Sequence, residues 1–336
     1  MKAWEVQPGA AVLDDLKLVT RDDPAPGPGQ VLVRVRATSI NARDQAIVAG
    51  RYRMGALTRP TIILSDGAGE VVSVGEGAGR FAIGERVAGC FVQGWVDGAY
   101  RPEYRGRAMG VPLDGTLAEM MVLDENGLVP IPDYLSYQEA ATLPCAAVTA
   151  WNALYRSAPL IAGQWVLLIG TGGVSIIALQ LAKAAGAPVI ILSSSDAKLE
   201  WAADLGADET INYKTTPDWV EPVRAASGGG VHHVVEVGGG TLPQSIAALA
   251  LGGQIHQIGF VAGREVPFNA PAFVGNFARL NSVLVGSRAS FEDMLRAMTA
   301  AQIKPVVDKS FAFDDAHGAF EYQKSPALFG KVVITV

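Results

Sequence analysis

Residues 165–175 read Trp-Val-Leu-Leu-Ile-Gly-Thr-Gly-Gly-Val-Ser and decide the fold of the middle of the chain. The apolar run 166–169 predicts a buried strand, and residues 176–186 after the glycines are compatible with a helix. Gly170 permits a tight turn, and Gly172 lacks a side chain, so a pyrophosphate can approach the backbone and the unpaired N–H groups of the helix N-terminus. The stretch is typical of a dinucleotide-binding turn. The predicted contacts are Gly170, Thr171, Gly172, Gly173 and Val174.

Short apolar runs recur from this turn onward, separated by about the length of one helix and two loops. They lie at 166–169, 189–192, 210–211, 234–237, 255–258 and 283–285. Helix-compatible segments such as 176–185 and 197–205 lie between them. Continuous apolar strands alternating with helices indicate a parallel sheet covered on both faces. The sequence therefore predicts an α/β fold built on a doubly wound parallel sheet.

The end of the second strand indicates which dinucleotide is bound. An Asp or Glu at this point would hold both ribose hydroxyls of NAD, but the chain has Ser193 and Ser194 there. Lys198 falls in the first turn of the next helix, where a cation can meet a 2′-phosphate. These residues favour NADP. Asp196 lies close by and could serve a ribose, so NAD stays open as the alternative.

The two ends of the chain have a different pattern. Residues 30–36 alternate Val with polar residues, which is the period of a half-buried strand, and Gly/Pro-rich turns separate several such pieces. After residue 285 only one helical segment, 291–301, and a closing strand, 331–336, are visible. We therefore expect residues 1–125 and 288–336 to form one mainly-β domain, and residues 126–287 to form the dinucleotide-binding domain.

Composition excludes several classes of protein. The chain has 336 residues, with 27 Lys and Arg against 33 Asp and Glu, and its net charge of −6 gives no basic footprint for nucleic acid. The first residues lack the basic and apolar regions of a signal peptide, and no apolar stretch is long enough to span a bilayer. We expect a cytoplasmic protein without nucleic-acid or membrane partners. Two Cys and four His, none in CxxC or HxxxH spacing, leave few metal ligands.

The glycine-rich turn and six further motifs together resemble the medium-chain dehydrogenase/reductase superfamily over essentially the whole chain. The motifs are Ser-Asp-Gly-Ala-Gly-Glu-Val at 65–71, Val-Gly-Glu-Gly at 74–77, Gly-Glu-Arg-Val at 84–87, Leu-Pro-Cys-Ala-Ala-Val-Thr-Ala-Trp at 143–151, Ala-Leu-Gln-Leu-Ala-Lys at 178–183 and Gly-Lys-Val-Val at 330–333. The resemblance implies a Rossmann domain and a GroES-like catalytic domain formed by both chain ends. It also implies hydride transfer from a nicotinamide held in the cleft between them.

The zinc-containing members of this superfamily hold a catalytic metal with two Cys and one His. By resemblance, the three ligand positions of this chain carry Asn41, Ser65 and Cys145, and the structural-zinc lobe retains only Cys90. One thiol without partners does not hold Zn²⁺ in a three-ligand site. We therefore expect no metal, and the chain resembles the zinc-independent quinone oxidoreductase-like group.

Without a metal, the carbonyl of a substrate needs hydrogen-bond donors, or the acceptor must be more reactive. By resemblance, Asn41 and Tyr52 are the candidate donors to the substrate oxygen, and Asp44 orients the site. Each has a structural alternative: Asn41 as a helix cap, Asp44 as an ion-pair partner and Tyr52 as a packed aromatic residue.

Further positions carry over from the resemblance as cofactor contacts. They are Thr149, Tyr213, Gly238, Gly259, Phe260 and Lys331. Lys331 is expected either to reach the phosphates or to be an exposed strand residue. The resemblance also implies a homodimer, paired through the edge strand 281–286.

Three functions stay open. The first is an NADPH-dependent, zinc-independent reductase of quinones or α,β-unsaturated carbonyls. The second is a zinc-free NAD(P)-dependent alcohol or ketone dehydrogenase, favoured by the long segment 90–117 with its Trp95, Tyr100 and Tyr104. The third is a non-catalytic NADPH-binding protein, structural or sensory.

Overall fold

The computed structural model describes residues 1–52, 57–156, 159–260 and 266–336. Its strands are β1 Lys2–Val6, β2 Leu16–Thr20, β3 Gln30–Ser39, β4 Thr61–Ile62, β5 Asp66–Val74, β6 Arg86–Gly89, β7 Met120–Asp124, β8 Leu128–Pro130, β9 Val166–Ile169, β10 Val189–Ser193, β11 Glu209–Asn212, β12 Val231–Glu236, β13 Leu249–Gln257, β14 Arg279–Ser282, β15 Val307–Ala312 and β16 Lys331–Thr335. Its α-helices are α1 Ala42–Val48, α2 Tyr137–Ala140, α3 Val148–Trp151, α4 Gly173–Ala184, α5 Asp196–Asp204, α6 Val220–Ala226, α7 Leu242–Ala247, α8 Ala270–Gly275, α9 Arg288–Ala301 and α10 Ala316–Gln323. Among these residues no helix combines the length and apolarity needed to cross a membrane.

The described residues divide into two compact units. Unit 1 comprises Met1–Val148 and Gly286–Val336, and unit 2 comprises Thr149–Val285. The first boundary lies later than the predicted 125/126, since β8 pairs with β6 and α2 packs against β3 and β5, all in unit 1. The second boundary differs from the predicted 287/288 by two residues.

Unit 2 contains the predicted parallel sheet. Its strand order is β11-β10-β9-β12-β13-β14, and every neighbouring pair is parallel. Buried aliphatic residues of β9, β10 and β12 form the core of this unit. The α/β fold class is thus confirmed. The sixth strand was predicted at 283–285, but β14 ends at Ser282, because the chain leaves the extended conformation and Val285 has a φ of 21°.

Unit 1 is mainly β, as the resemblance implies. One sheet has the order β15-β16-β3-β5-β6-β8, with β7 also paired to β3, and a smaller sheet has the order β2-β1-β4. The alternation in β3 is observed: Val31, Val33 and Val35 are buried, whereas Arg34 is exposed. The C-terminal strands β15 and β16 join this sheet, so the expectation that both chain ends build one domain is confirmed.

A pair of buried histidines lies across neighbouring strands of unit 2. His233 Nδ1 is 3.0 Å from His256 Nε2, and His233 Nε2 is 3.1 Å from Gln164 Oε1. Burial lowers the pKa of His233 to about 4 and that of His256 to about 3. Both rings are therefore neutral at physiological pH. A proton added to His233 would in addition set its Nδ1–H against the Nε2–H of His256.

The histidine pair predicts an acid-sensitive unit 2. Because both folded pKa values lie below the ordinary 6.5, the unfolded chain binds protons first, and stability falls as pH decreases from 6.5 towards 4. The free energy of unfolding is expected to fall by on the order of 2 kcal/mol per histidine between about pH 7 and 5. Urea unfolding at several pH values measures it. The double variant His233→Asn/His256→Asn should lose most of this dependence, and His232→Asn should retain it; an unchanged slope in the double variant would contradict the assignment.

Candidate functional site

The glycine-rich turn of unit 2 joins β9 to α4, as predicted. Gly170 has a φ of 80°, a conformation that favours glycine. Gly172 is the N-cap of α4, and a Cβ built there would meet no atom within 4 Å. Ser175 occupies the third small position, and its hydroxyl donates to the Ile169 carbonyl at 3.0 Å. An open backbone at the N-terminus of a helix fits the pyrophosphate of a dinucleotide.

The end of β10 carries the residues predicted to select the cofactor. Ser193 is buried, and Ser194 follows it half-buried. Lys198 lies in the first turn of α5, on the helix that begins directly after this strand. Asp196 accepts a hydrogen bond from Asn212 Nδ2 at 2.7 Å, so its carboxylate already has a protein donor.

A buried carboxylate shapes the next loop of unit 2. Glu236, at the end of β12, is fully buried and accepts from the backbone N–H groups of Gly238 at 3.0 Å and Gly239 at 2.9 Å. The hydroxyls of Thr241 and Ser245 donate to it at 2.8 and 2.7 Å. Charge-assisted hydrogen bonds of this kind hold the loop that contains Gly238 in one conformation. Sequence reasoning missed Glu236, although an acidic residue inside an apolar run was a usable signal.

The remaining cofactor positions of unit 2 differ in exposure. Thr149 is buried at the start of the unit. Tyr213 is 39% exposed, and its backbone N–H donates to the Ser193 carbonyl. At Gly259 a Cβ would lie 2.8 Å from the Val237 carbonyl oxygen, so glycine is needed for this close approach. Phe260 is 55% exposed. Their roles in cofactor binding stay predictions.

Asn41 and Asp44 lie together at the start of α1 in unit 1. Asn41 is the N-cap residue, and the Asp44 carboxylate accepts from its backbone N–H at 2.8 Å. Asp44 is fully buried, and burial raises its pKa to about 6 although the Arg43 guanidinium opposes this. Among the described residues, its Oδ1 has no hydrogen-bond partner. Asp44 therefore fixes the backbone of Asn41, and its role in orienting the site stays a prediction.

Three buried polar side chains surround the Asn41 amide. The Lys331 ammonium donates to Asn41 Oδ1 at 2.5 Å and lies 3.9 Å from Asp66 Oδ2. Asn41 Nδ2 is 3.4 Å from Ser65 Oγ, and the Ser65 hydroxyl donates to Asp66 Oδ1 at 2.6 Å. Asp66 Oδ2 also accepts from the backbone N–H of Cys145 at 3.1 Å. The three positions that resemblance assigns to metal ligands thus converge on Asp66 and Lys331.

Tyr52 lies beside the same helix, against Arg43. The Arg43 guanidinium packs over the rings of Tyr52 and Phe91, at 4.9 and 4.7 Å from their centroids. Arg43 also donates to the Met109 carbonyl at 2.7 Å and, through Nε, to the Tyr52 hydroxyl oxygen at 3.4 Å. Because Arg43 can only donate, the Tyr52 hydroxyl keeps its own proton for another acceptor. Tyr52 also lines a cavity of about 210 Å³ together with Ile47 and Val111.

The residues of unit 1 do not fit a catalytic zinc ion. Zinc is bound by thiolate, imidazole or carboxylate, whereas two of the three ligand positions present an amide and a hydroxyl. In the described parts of the chain, no three His, Cys, Asp or Glu side chains are grouped so that they could hold a metal ion. A buried lysine ammonium beside these positions opposes a second cation.

Comparison with known proteins identifies the class. Residues 27–133 match the alcohol dehydrogenase GroES-like domain, and residues 173–300 match the zinc-binding dehydrogenase family. A zinc-type alcohol dehydrogenase-like protein of Schizosaccharomyces pombe is 46% identical over 317 residues, which cover 92% of this chain and 91% of the relative. A solved structure of a putative alcohol dehydrogenase from Sinorhizobium meliloti is 38% identical, with a TM-score of 0.90 and full coverage of both chains. A quinone oxidoreductase structure from Pseudomonas syringae is 26% identical, with a TM-score of 0.83, and covers 100% of this chain and 99% of that one.

The fold and these likenesses define an NAD(P)-dependent oxidoreductase. The chain belongs to the medium-chain dehydrogenase/reductase superfamily, within its zinc-type alcohol dehydrogenase-like group.

Proposed function

We propose that this enzyme is a zinc-independent, NADPH-dependent reductase that transfers hydride to a quinone or an α,β-unsaturated carbonyl compound. The observation that carries the proposal is the chemistry of Asn41 and Ser65, which supply hydrogen-bonding groups where zinc-dependent members of the superfamily supply metal ligands and so leave Cys145 as a single thiol. An enzyme without a metal to polarise a carbonyl is suited to acceptors that are already activated by conjugation.

The residues of unit 1 support this chemistry. When bound, NADPH supplies the hydride. Addition of hydride to a conjugated carbon leaves the negative charge on the substrate oxygen, where a hydrogen-bond donor stabilises it. The NH₂ group of Asn41 faces Ser65 at the long distance of 3.4 Å and also hydrogen-bonds Asp66; we propose that a substrate oxygen accepts from this group and from the Tyr52 hydroxyl. Water can protonate the resulting enolate, so no general acid is required.

A zinc-free dehydrogenase of alcohols or ketones is the second candidate. The relatives named alcohol dehydrogenase favour it. An aromatic cluster in unit 1 also favours it: the Trp95 ring lies 5.1 Å from that of Tyr100 and 6.2 Å from that of Tyr104. Such a cluster supplies apolar surface for a substrate that lacks conjugation.

Turnover of NADPH with a p-quinone, a 2-enone and a saturated ketone distinguishes the two candidates. The assay uses protein purified without chelator, whose zinc content is measured, and the same protein after treatment with a chelator. We expect oxidation of NADPH with the quinone or the enone, less than stoichiometric zinc, and no loss after chelation. Activity with the ketone alone would overturn the proposed acceptor. One zinc per chain together with loss of activity on chelation would overturn zinc independence.

Selectivity for NADPH is the prediction that follows from Lys198. Lys198→Ala is expected to raise the dissociation constant of NADPH about tenfold and to leave that of NADH nearly unchanged, because only NADPH carries the 2′-phosphate. Fluorescence titration of both cofactors measures this, with Lys324→Ala on the surface of unit 1 as the control. Tighter NADH binding in the wild type, or equal effects on both cofactors, would contradict the role.

We also propose a homodimer formed through the edge strand of unit 2. β14 is the last strand of its sheet, and exposed apolar side chains lie on and before it, with Val274 70%, Phe277 73% and Leu280 42% exposed. An apolar edge of this kind invites pairing. Light scattering should give the mass of two chains, and Val274→Asp/Leu280→Arg should give that of one. Ile83→Arg, at an exposed aliphatic residue of unit 1, is the control; a monomeric wild type would refute the dimer.

A further inference from the structure

Lys331 lies inside unit 1, where the sequence left open a phosphate contact or an exposed strand position. It begins β16, which pairs with β3 antiparallel, and it is 5% exposed. Its ammonium donates to the Ile40 carbonyl at 2.6 Å and to Asn41 Oδ1 at 2.5 Å, and it forms an ion pair with Asp66 at 3.9 Å. A buried ammonium is costly unless its donors find acceptors. Reaching a cofactor phosphate would require it to give up these three contacts.

The contact with Lys331 decides which way the Asn41 amide faces. An ammonium only donates, so the oxygen of the amide must face Lys331 and the NH₂ group must face away from it. The Ser65 hydroxyl commits its proton to Asp66 at 2.6 Å and is therefore an acceptor towards Asn41. The NH₂ group of Asn41 therefore faces Ser65 at 3.4 Å and also hydrogen-bonds the Asp66 carboxylate.

The same ammonium balances the charge of Asp66. Asp66 is fully buried, and burial raises its pKa, while Lys331 is the first of the groups that lower it. Asp66 in turn holds Ser65 and the backbone of Cys145. Lys331 thus places an ammonium group, carried by the chain itself, next to all three positions where resemblance places metal ligands.

We propose that Lys331 is a positioning residue for the reaction: by binding Oδ1 of Asn41, it leaves the NH₂ group, and not the oxygen, as the end of the amide that is presented to the substrate oxygen. This inference rests on the proposed reduction of a conjugated carbonyl, and it replaces the expectation that Lys331 binds the cofactor phosphates. Lys331 acts through Asn41 and does not itself contact the substrate.

The first test is a double-mutant cycle between Lys331→Met and Asn41→Ala. Lys331→Met is expected to lower kcat about 30-fold with whichever of the quinone and the enone the wild type reduces faster. The NADPH dissociation constant should stay within about twofold of wild type. The combined variant should be no slower than Asn41→Ala alone, because both changes remove the same donor. Lys309→Met, on the neighbouring strand β15, is the matched control and should keep wild-type kcat. The proposal would be overturned if the fold-losses in kcat of the two single variants multiplied in the combined variant. A tenfold weaker NADPH affinity with normal kcat in Lys331→Met would also overturn it.

A second variant separates positioning from folding. Lys331→Met leaves the Asp66 charge buried without its partner, which can unfold unit 1. In Asp66→Asn/Lys331→Met both charges are gone, so the melting temperature should return close to that of wild type while kcat stays as low as in Lys331→Met. Recovery of wild-type kcat in this double variant would show that Lys331 only balances charge, and would overturn the positioning role.

A readout without turnover distinguishes failure of this inference from failure of the proposed function. The side-chain amide signal of Asn41 in a ¹H–¹⁵N spectrum is assigned by its loss in Asn41→Ala. We expect this signal to shift in Asp66→Asn/Lys331→Met and to stay in place in Lys309→Met. An unshifted signal would overturn the inference whatever the enzyme reduces. A shifted signal in a protein that reduces none of the three acceptors would instead reject the proposed function.

Discussion

Gly172→Val is expected to abolish measurable NADPH binding, a loss of at least roughly 100-fold in affinity, without unfolding unit 2. Gly172 has a φ of −81° and a ψ of 179°, which valine adopts without strain, and a Cβ there meets no atom within 4 Å. The added isopropyl group would project from the N-terminus of α4, where a pyrophosphate must approach the backbone. Fluorescence titration measures affinity, and thermal melting checks the fold.

Gly79 offers a matched control for this substitution. A Cβ at Gly79 also meets no atom within 4 Å, and this glycine lies in unit 1. Gly79→Val should bind NADPH as wild type does, and Gly172→Ala should be intermediate. An affinity within about threefold of wild type in Gly172→Val would place the pyrophosphate elsewhere.

Asn41→Asp is expected to lower kcat/KM for the conjugated acceptor by roughly 100-fold, because removal of one oxyanion donor costs about 10² to 10³ in rate. Aspartate keeps the shape of the side chain and an oxygen for Lys331, but it has no N–H group to donate. Its charge also disfavours the developing negative charge on the substrate oxygen. Steady-state kinetics at saturating NADPH measure the effect.

Gln45→Glu is the control for this change, since it makes the same amide-to-acid replacement on the same helix α1. The Gln45 side chain donates to the Phe320 carbonyl at 2.7 Å, a contact within the fold of unit 1. The variant Gln45→Glu should retain kcat/KM within about threefold of wild type if the protein remains folded. Equal losses in both variants would mean that Asn41 acts only by supporting the helix.

Local sequence patterns were sufficient for most of unit 2. The apolar runs of β9, β10 and β12 and the glycines at 170 and 172 are contiguous signals that need no partner from elsewhere in the chain. The sixth strand was predicted at the wrong position because residues 283–285 form an apolar run typical of a strand, whereas the observed β14 is mostly exposed. An exposed edge strand has no continuous apolar run to mark it.

The buried polar cluster around Asn41 in unit 1 was only partly predictable. Asn41, Asp44 and Tyr52 were reached by resemblance, and the structure brings Asn41 and Asp44 into direct contact. The contact between Asn41 and Lys331 could not be read from spacing, since 290 positions separate the two residues. Only the pairing of β16 with β3 brings them together, and strand pairing over such separations leaves no periodic trace in a sequence.

This pairing also bears on the order in which the enzyme is made. Unit 2 is one contiguous segment, Thr149–Val285, so it can fold on the ribosome while later residues are still being added. The sheet of unit 1 must wait for Lys331–Thr335 to pair with β3. Until those residues emerge from the exit tunnel, Asn41 and Asp66 lack their buried cation. The polar cluster around Asn41 is therefore completed only after all of unit 2 has been synthesised.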